Sequence, residues 1–257
     1  MSDSDFRLLS PDDPHPVKLH REDGASPFFL TCDHAGNAIP QRLGDLGVSE
    51  SERRRHIAWD VGAEHVARHL ADYLDAPLVA QTYSRLVIDC NRSVGVADSI
   101  ATISEHTEVP GNHALATHEA AARAAEIFHP YQNTITEHLD RRHAAGVDNV
   151  LICVHSFTPV YKGQDRPWHI GVLYNRDDSL ARVLMELIAA ETDLCLGDNE
   201  PYAISDETDY TIPVHGEQRG IPHVEIEIRH DLIETAGGQS DWAARLADWL
   251  PRCLARL

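Results

Sequence analysis

Positive charge is scarce in this sequence beside negative charge. Lys18 and Lys162 are its only lysines, and 22 basic side chains stand against 41 acidic ones, for a formal net charge of −19. A field of that sign repels nucleic acid and anionic membrane surfaces, so neither is expected as a partner. The cations that exist are almost all arginine, whose planar fork grips carboxylates, and an anionic ligand needs such arginines locally to overcome the global field. Paired cysteines are missing too. Cys32, Cys90, Cys153, Cys195 and Cys253 are odd in number, widely spaced and form no CxxC. That argues against a disulfide framework and for free, buried thiols in a reducing cytoplasm. No apolar run approaches the length of a membrane span. The opening MSDSDFRLLSPDDPH has neither a basic n-region nor an apolar h-region, so no signal peptide is expected and the location is expected to be cytoplasmic.

What is present is an ordinary globular composition, 42% hydrophobic and 25% charged over 257 residues, enough to bury a core without staples. Residues 1–25 are polar, carry three prolines and read as an irregular arm. From 26 to 257 the pattern is one α/β domain. Short β-rich runs fall at FFLTC (28–32), PLVAQTY and RLVIDC (77–90), NVLICVHS (149–156), HIGVLY (169–174) and HVEIEIR (223–229). Helical periodicity covers 51–74, 115–145 with a break near Pro130, 178–191, and 240–256. Loops are expected at 93–113 and 197–221. Strands alternating with helices predict a mixed, mostly parallel sheet between helical layers. No repeat, low-complexity segment or linker divides it, and nothing in the sequence reports the oligomeric state.

The chemistry-bearing residues sit where the strands run out. FFLTC leads into Asp33-His34-Ala35-Gly36-Asn37, RLVI into Asp89-Cys90-Asn91-Arg92, and LICV into His155-Ser156. In open α/β sheets the crevice beyond the carboxyl ends of the strands holds the site, so these clusters can converge. Two imidazoles from different strands are a plausible metal pair, with a carboxylate behind one of them. In HVEIEIR, Glu225 and Glu227 alternate with Val224, Ile226 and Ile228, which puts both acids on one sheet face, either wet or functional. With 17 histidines in the chain, one histidine alone proves nothing.

The motifs HAGNAIP, WDVGA, SRLVIDCNRS, PGN, VHSFTP and EIEIR, in that order over roughly residues 27–235, resemble the N-formylglutamate amidohydrolase family. More distantly, Asp89-x-Asn91-Arg92 and His155-Ser156 resemble signatures of zinc carboxypeptidases and aspartoacylase. The resemblance implies a zinc-carboxypeptidase-like fold, a zinc cofactor and hydrolysis of the amide of a small anionic amino-acid derivative, N-formyl-L-glutamate above all. It makes His34 and His155 zinc ligands and Asp89 the acceptor behind His34. It makes Asn91 and Arg92 the grip on the substrate carboxylate, and Glu227, or its neighbour Glu225, the general base.

The third ligand is open. Where the carboxypeptidase pattern has a glutamate, this chain has Asn37, a poor zinc ligand. Asp60 in WDVGA is the preferred substitute, its bland alternative being an N-cap for the helix opening near Val61. Arg85 and Arg229 are candidates for a second carboxylate or for developing oxyanion charge, or else structural ion pairs. His215 could reach the site from a loop. Competing functions are a carboxypeptidase, a deacylase of other N-acyl amino acids, or a non-catalytic carboxylate-binding relative.

Overall fold

The computed structural model describes residues 6–257. The elements, in chain order, begin with β1 (Val17–His20), β2 (Phe28–Cys32), α1 (Glu50–Arg53), α2 (Ala63–Leu74) and β3 (Leu78–Gln81). A small hairpin follows, β4 (Ile103–Ser104) and β5 (Thr107–Glu108), then α3 (Thr117–Arg123), α4 (His129–Ala144) and β6 (Val150–Phe157). A second hairpin, β7 (Val160–Tyr161) and β8 (Gln164–Asp165), leads to β9 (Ile170–Leu173), α5 (Ser179–Glu191) and β10 (Leu196–Asp198). The chain ends with β11 (His223–Arg229) and α6 (Ala236–Leu254). Seven strands form one sheet in the order β1-β3-β2-β6-β11-β9-β10. β3, β2, β6 and β11 run parallel, and β9 with β10 is a second parallel pair set antiparallel to β11. The predicted mixed, mostly parallel sheet between helical layers is what forms.

Strand alternation divides the core in two. Phe28, Leu30, Cys32, Val150, Ile152, Val154, Val224, Ile226 and Ile228 face α2, α5 and α6. Phe29, Leu151 and Cys153 point the other way, against Ile127, Phe128, Tyr131, Ile135 and Leu139. By the same period of two, His155, Glu225 and Glu227 leave the sheet on the α4 side, where the packing stops short and a cavity opens. Helix α2 buries Ala63, Val66, Ala67, Leu70 and Ala71 as one stripe against the opposite face. The break at Pro130 takes the form of a π-helical turn, Ala124–Phe128, running into α4, as expected where proline withdraws a backbone donor.

Several expectations are corrected. The arm is not wholly irregular: Val17–His20 pairs antiparallel with β3, while residues 1–5 lie outside the described residues. Residues 51–74 are not one helix. Between α1 and α2 the chain leaves helical geometry over 54–62 and re-enters at Gly62, with φ 82°, in a conformation that favours glycine. That excursion delivers Asp60 to the carboxyl ends of β2 and β6, beside His34 and His155.

RLVIDC is not a strand either. Leu86, Val87 and Ile88 are buried in the α4-side core, but side chains satisfy the backbone there. Asn112 Nδ2 donates to the Leu86 carbonyl at 2.8 Å and Arg123 Nη1 to the Val87 carbonyl at 2.8 Å. Apolar patterning reported burial there, not pairing. The loops at 93–113 and 197–221 contain the β4–β5 hairpin, β10 and a π-helical turn, Ile212–Glu217. All five cysteines are free, and among the described residues no helix is long and apolar enough to cross a membrane.

One glycine fixes the first site loop. A Cβ on Gly36 would lie 1.9 Å from the Thr82 carbonyl oxygen, a clash between two backbones that no rotamer relieves. Gly36→Ala is expected to cost about 3 kcal/mol, as overpacking does, and a lowered thermal midpoint would report it.

Candidate active site

A cavity of ≈ 320 Å³ opens at the carboxyl ends of β2 and β6, and Glu225 and Glu227 of β11 form part of its wall. His34 comes from the turn after β2, His155 from β6, and Asp60 from the excursion between α1 and α2. β6 and β11 pair in parallel register with His155 opposite Glu227, so the sheet itself sets the imidazole beside the carboxylate.

The ligand atoms converge. His34 Nδ1 lies 3.2 Å from His155 Nδ1 and 3.5 Å from Asp60 Oδ2, and His155 Nδ1 lies 2.8 Å from the same oxygen. These three residues form the group among the described residues whose atoms could hold a metal ion. On the far side of the rings, His34 Nε2 is 2.7 Å from Asp89 Oδ1 and His155 Nε2 is 3.2 Å from Asp33 Oδ2. An ionised carboxylate only accepts, so each Nε2 carries the proton. In neutral rings both Nδ1 lone pairs then point at each other and at Asp60. Three buried lone pairs without a proton among them repel unless a cation sits between them. Two imidazoles and a carboxylate suit zinc, whose bonds of about 2.0–2.1 Å place tetrahedral ligand atoms about 3.3 Å apart. The residues present fit that ion.

The titration directions agree. Burial would depress His155, yet the charge of Glu225 and the bonds to Asp33 and Asp60 raise it well above the ordinary imidazole range. His34 is raised in the same sense, with Asp89 and Asp60 outweighing burial and the neighbouring Arg85. The cluster wants positive charge. Asp89, which burial would raise, is held below the carboxylate range by His34, Arg92 and Arg85.

Glu225 and Glu227 both line the cavity, 3% and 5% exposed, and each has an Oε2 with no hydrogen-bond partner. Burial first, and Asp60 next, push Glu227 up to about 7, while His155, Arg85 and His34 oppose. Burial, with Asp209 and Glu227 adding to it against His155, raises Glu225 well above the carboxylate range.

Asp60, not Asn37, completes the cluster. The Asp60 side chain is 4% exposed and bonds His155 and Arg85, whereas helix α2 is entered at Gly62 without a side-chain cap. Asn37 is exposed and off the cavity wall. Arg85 and Arg92 line the cavity; Arg85 pairs with Asp60, and Arg92 Nη1 stands 3.5 Å from Asp209 Oδ1. Asn91 is on the wall, but its amide is already committed. Oδ1 accepts from the Tyr210 and Thr211 amides at 3.0 and 2.9 Å, and Nδ2 donates to Asp209 at 3.2 Å. It ties the 209–211 segment to the site.

Two candidates fall outside the cavity. His215 is buried against Gln132 Oε1 at 2.7 Å and pushed down to about 4 by burial and Arg219. Arg229 pairs with Asp231 at 2.8 Å and donates to the Pro167 carbonyl at 3.3 Å. Three residues that the sequence reading does not single out belong to the site's surroundings: Asp33 behind His155, and Asp209 and Tyr202 on the cavity wall. Asp33 could have been singled out, since the alternation of β2 carried one step past Cys32 turns it toward the α4 side.

The profile of the N-formylglutamate amidohydrolase family matches residues 26–234. The chain belongs to that family. A crystal structure of a gene product of Agrobacterium tumefaciens is similar at TM-score 0.94 and 35% identity, covering 97% of this chain and 99% of that one. The N-formylglutamate amidohydrolase of Ralstonia eutropha is similar in fold at TM-score 0.67 and 18% identity, covering 93% of this chain and 99% of that one. No curated protein matches. The cavity described above brings two buried acids, each with an oxygen lacking a hydrogen bond, beside the His34–Asp60–His155 cluster.

Proposed function

We propose that this amidohydrolase is zinc-dependent and hydrolyses the amide of a small N-acyl amino acid, N-formyl-L-glutamate giving formate and glutamate. One observation carries the reading. Two tautomer-fixed histidines and Asp60 aim lone pairs at a single point, with a buried, unpartnered glutamate in register beside them. His34, His155 and Asp60 would hold the zinc, which when bound supplies Lewis acidity for the scissile carbonyl and the attacking water.

The remaining work falls to the chain. Glu227 takes the water's proton and passes it to the leaving nitrogen. Arg92 is poorly engaged by Asp209 and faces the cavity, so it is the free clamp for a substrate carboxylate. Arg85 holds Asp60 and keeps its Nε without a partner, a donor for a second carboxylate or for developing negative charge. Glu225, raised by burial and by Asp209 and Glu227, stands beside the base on the same cavity wall. A carboxylate-binding relative without catalysis has no use for such a base.

Substrate analogues test the reading. Arg92→Leu is expected to raise KM for N-formyl-L-glutamate about tenfold or more, on the scale of a lost charged hydrogen bond, with little change in kcat. An analogue with both carboxylates amidated is expected to turn over poorly in the parent enzyme. Equal turnover of the diamide would remove the carboxylate grip from the account, and faster cleavage of longer acyl groups would make the enzyme a general deacylase.

A further inference from the structure

We infer that Asp33 is the positioning residue for His155, fixing the tautomer and ring orientation that present Nδ1 to the cluster. The inference rests on the metal reading above. Asp33 is 1% exposed, and its Oδ2 lies 3.2 Å from His155 Nε2. Its other oxygen accepts two hydroxyls, Tyr131 from α4 at 2.8 Å and Thr211 from the 209–211 segment at 2.8 Å. Both hydroxyl residues are fully buried.

The bracing is crosswise. Asp33 and His34 are neighbours in sequence, yet they serve different histidines. His34 enters the cluster itself and is backed by Asp89 from the loop after β3. Asp33 leaves the chain on the α4 side and backs the imidazole that β6 supplies 122 positions further on. Because Asp33 is itself held by α4 and by the segment that Asn91 anchors, the aim of His155 is set by three separate parts of the chain.

A purely structural Asp33, present only to satisfy Tyr131 and Thr211, would leave the His155 tautomer to itself. Asp33→Asn separates the two roles. It keeps the volume and an acceptor for the hydroxyls, but turns an amide N–H₂ toward Nε2. His155 Nε2 then becomes an acceptor, and the proton moves to Nδ1, where it opposes a cation. Nitrogen-15 NMR of His155 is expected to show Nε2–H in the zinc-loaded parent and Nδ1–H in the metal-free variant. Zinc titrated into the metal-free chain against a competing chelator is expected to bind the variant about 10–100-fold more weakly, as for other lost outer partners.

An unchanged tautomer with unchanged zinc affinity would overturn the inference, as would zinc bound through Nε2 of His155 in the parent. A parent that takes up no zinc, yet keeps a slowly exchanging Nε2–H against Asp33, would sink the metal reading and uphold the positioning. If Asp33→Asn does not fold, Tyr131→Phe and Thr211→Val leave the carboxylate in place and each remove one support. Each is expected to shift the Nε2–H resonance and weaken zinc severalfold. No change in either quantity would contradict the inference.

Discussion

Replacing Glu227 by glutamine is expected to lower kcat about 10²–10⁴-fold, the usual worth of a positioned base, while zinc content and KM stay near those of the parent. The exchange is nearly isosteric. Glu227 is held by the β6–β11 ladder opposite His155, and its Oε2 has no hydrogen bond to lose. The effect therefore falls on proton transfer and not on the fold. A pH signature goes with it. The base works ionised, so kcat/KM rises with pH as Glu227 loses its proton. Burial and Asp60 place that event at about 7 in the metal-free site. A bound cation favours the carboxylate and moves the limb lower. The acid limb is therefore expected at or below about 7, and the residual activity of the glutamine variant should lack it. Unchanged kcat, or an acid limb that persists in the variant, would remove Glu227 from the mechanism.

The second large effect is expected at Asp60. Asp60→Ala deletes one of three convergent ligand atoms, and zinc affinity should fall more than about 100-fold, beyond what losing an outer partner does. The fold should suffer as well. Arg85 loses its ion pair, and the Ser156 amide loses an acceptor. Arg85 is a quarter exposed and can turn to water, so the cost is about 2 kcal/mol, not that of a fully buried broken pair. Asp60→Asn, which keeps an acceptor for Arg85, should recover much of that stability without recovering zinc. Unaltered metal content in the alanine variant would reduce Asp60 to an ion-pair partner of Arg85.

Much of the site was legible because strands leave a signal of period two. HVEIEIR announces both acids on one face, and both line the cavity. His34 and His155 were visible as polar residues closing apolar runs. What stayed hidden depended on non-local partners. RLVIDC has the composition of a strand, but its carbonyls are taken by Asn112 and Arg123 from other elements, which no local pattern reveals. The helical periodicity of 51–74 continues across Asp60, whose withdrawal into the site overrides it. The family resemblance makes Asn91 a substrate grip together with Arg92, and only the fold shows its amide bonded to Tyr210, Thr211 and Asp209. His215 and Arg229 sit near site elements in sequence, but their side chains point to Gln132 and Asp231. Adjacency along a chain does not fix direction.

We propose that this cavity is the active site of a zinc-dependent amidase. Elemental analysis of the purified chain, combined with formate release from N-formyl-L-glutamate before and after chelation, tests it most directly. About one zinc per chain is expected, with formate release lost on chelation and restored when zinc is returned. No bound metal together with no formate release, even with zinc supplied, would contradict it.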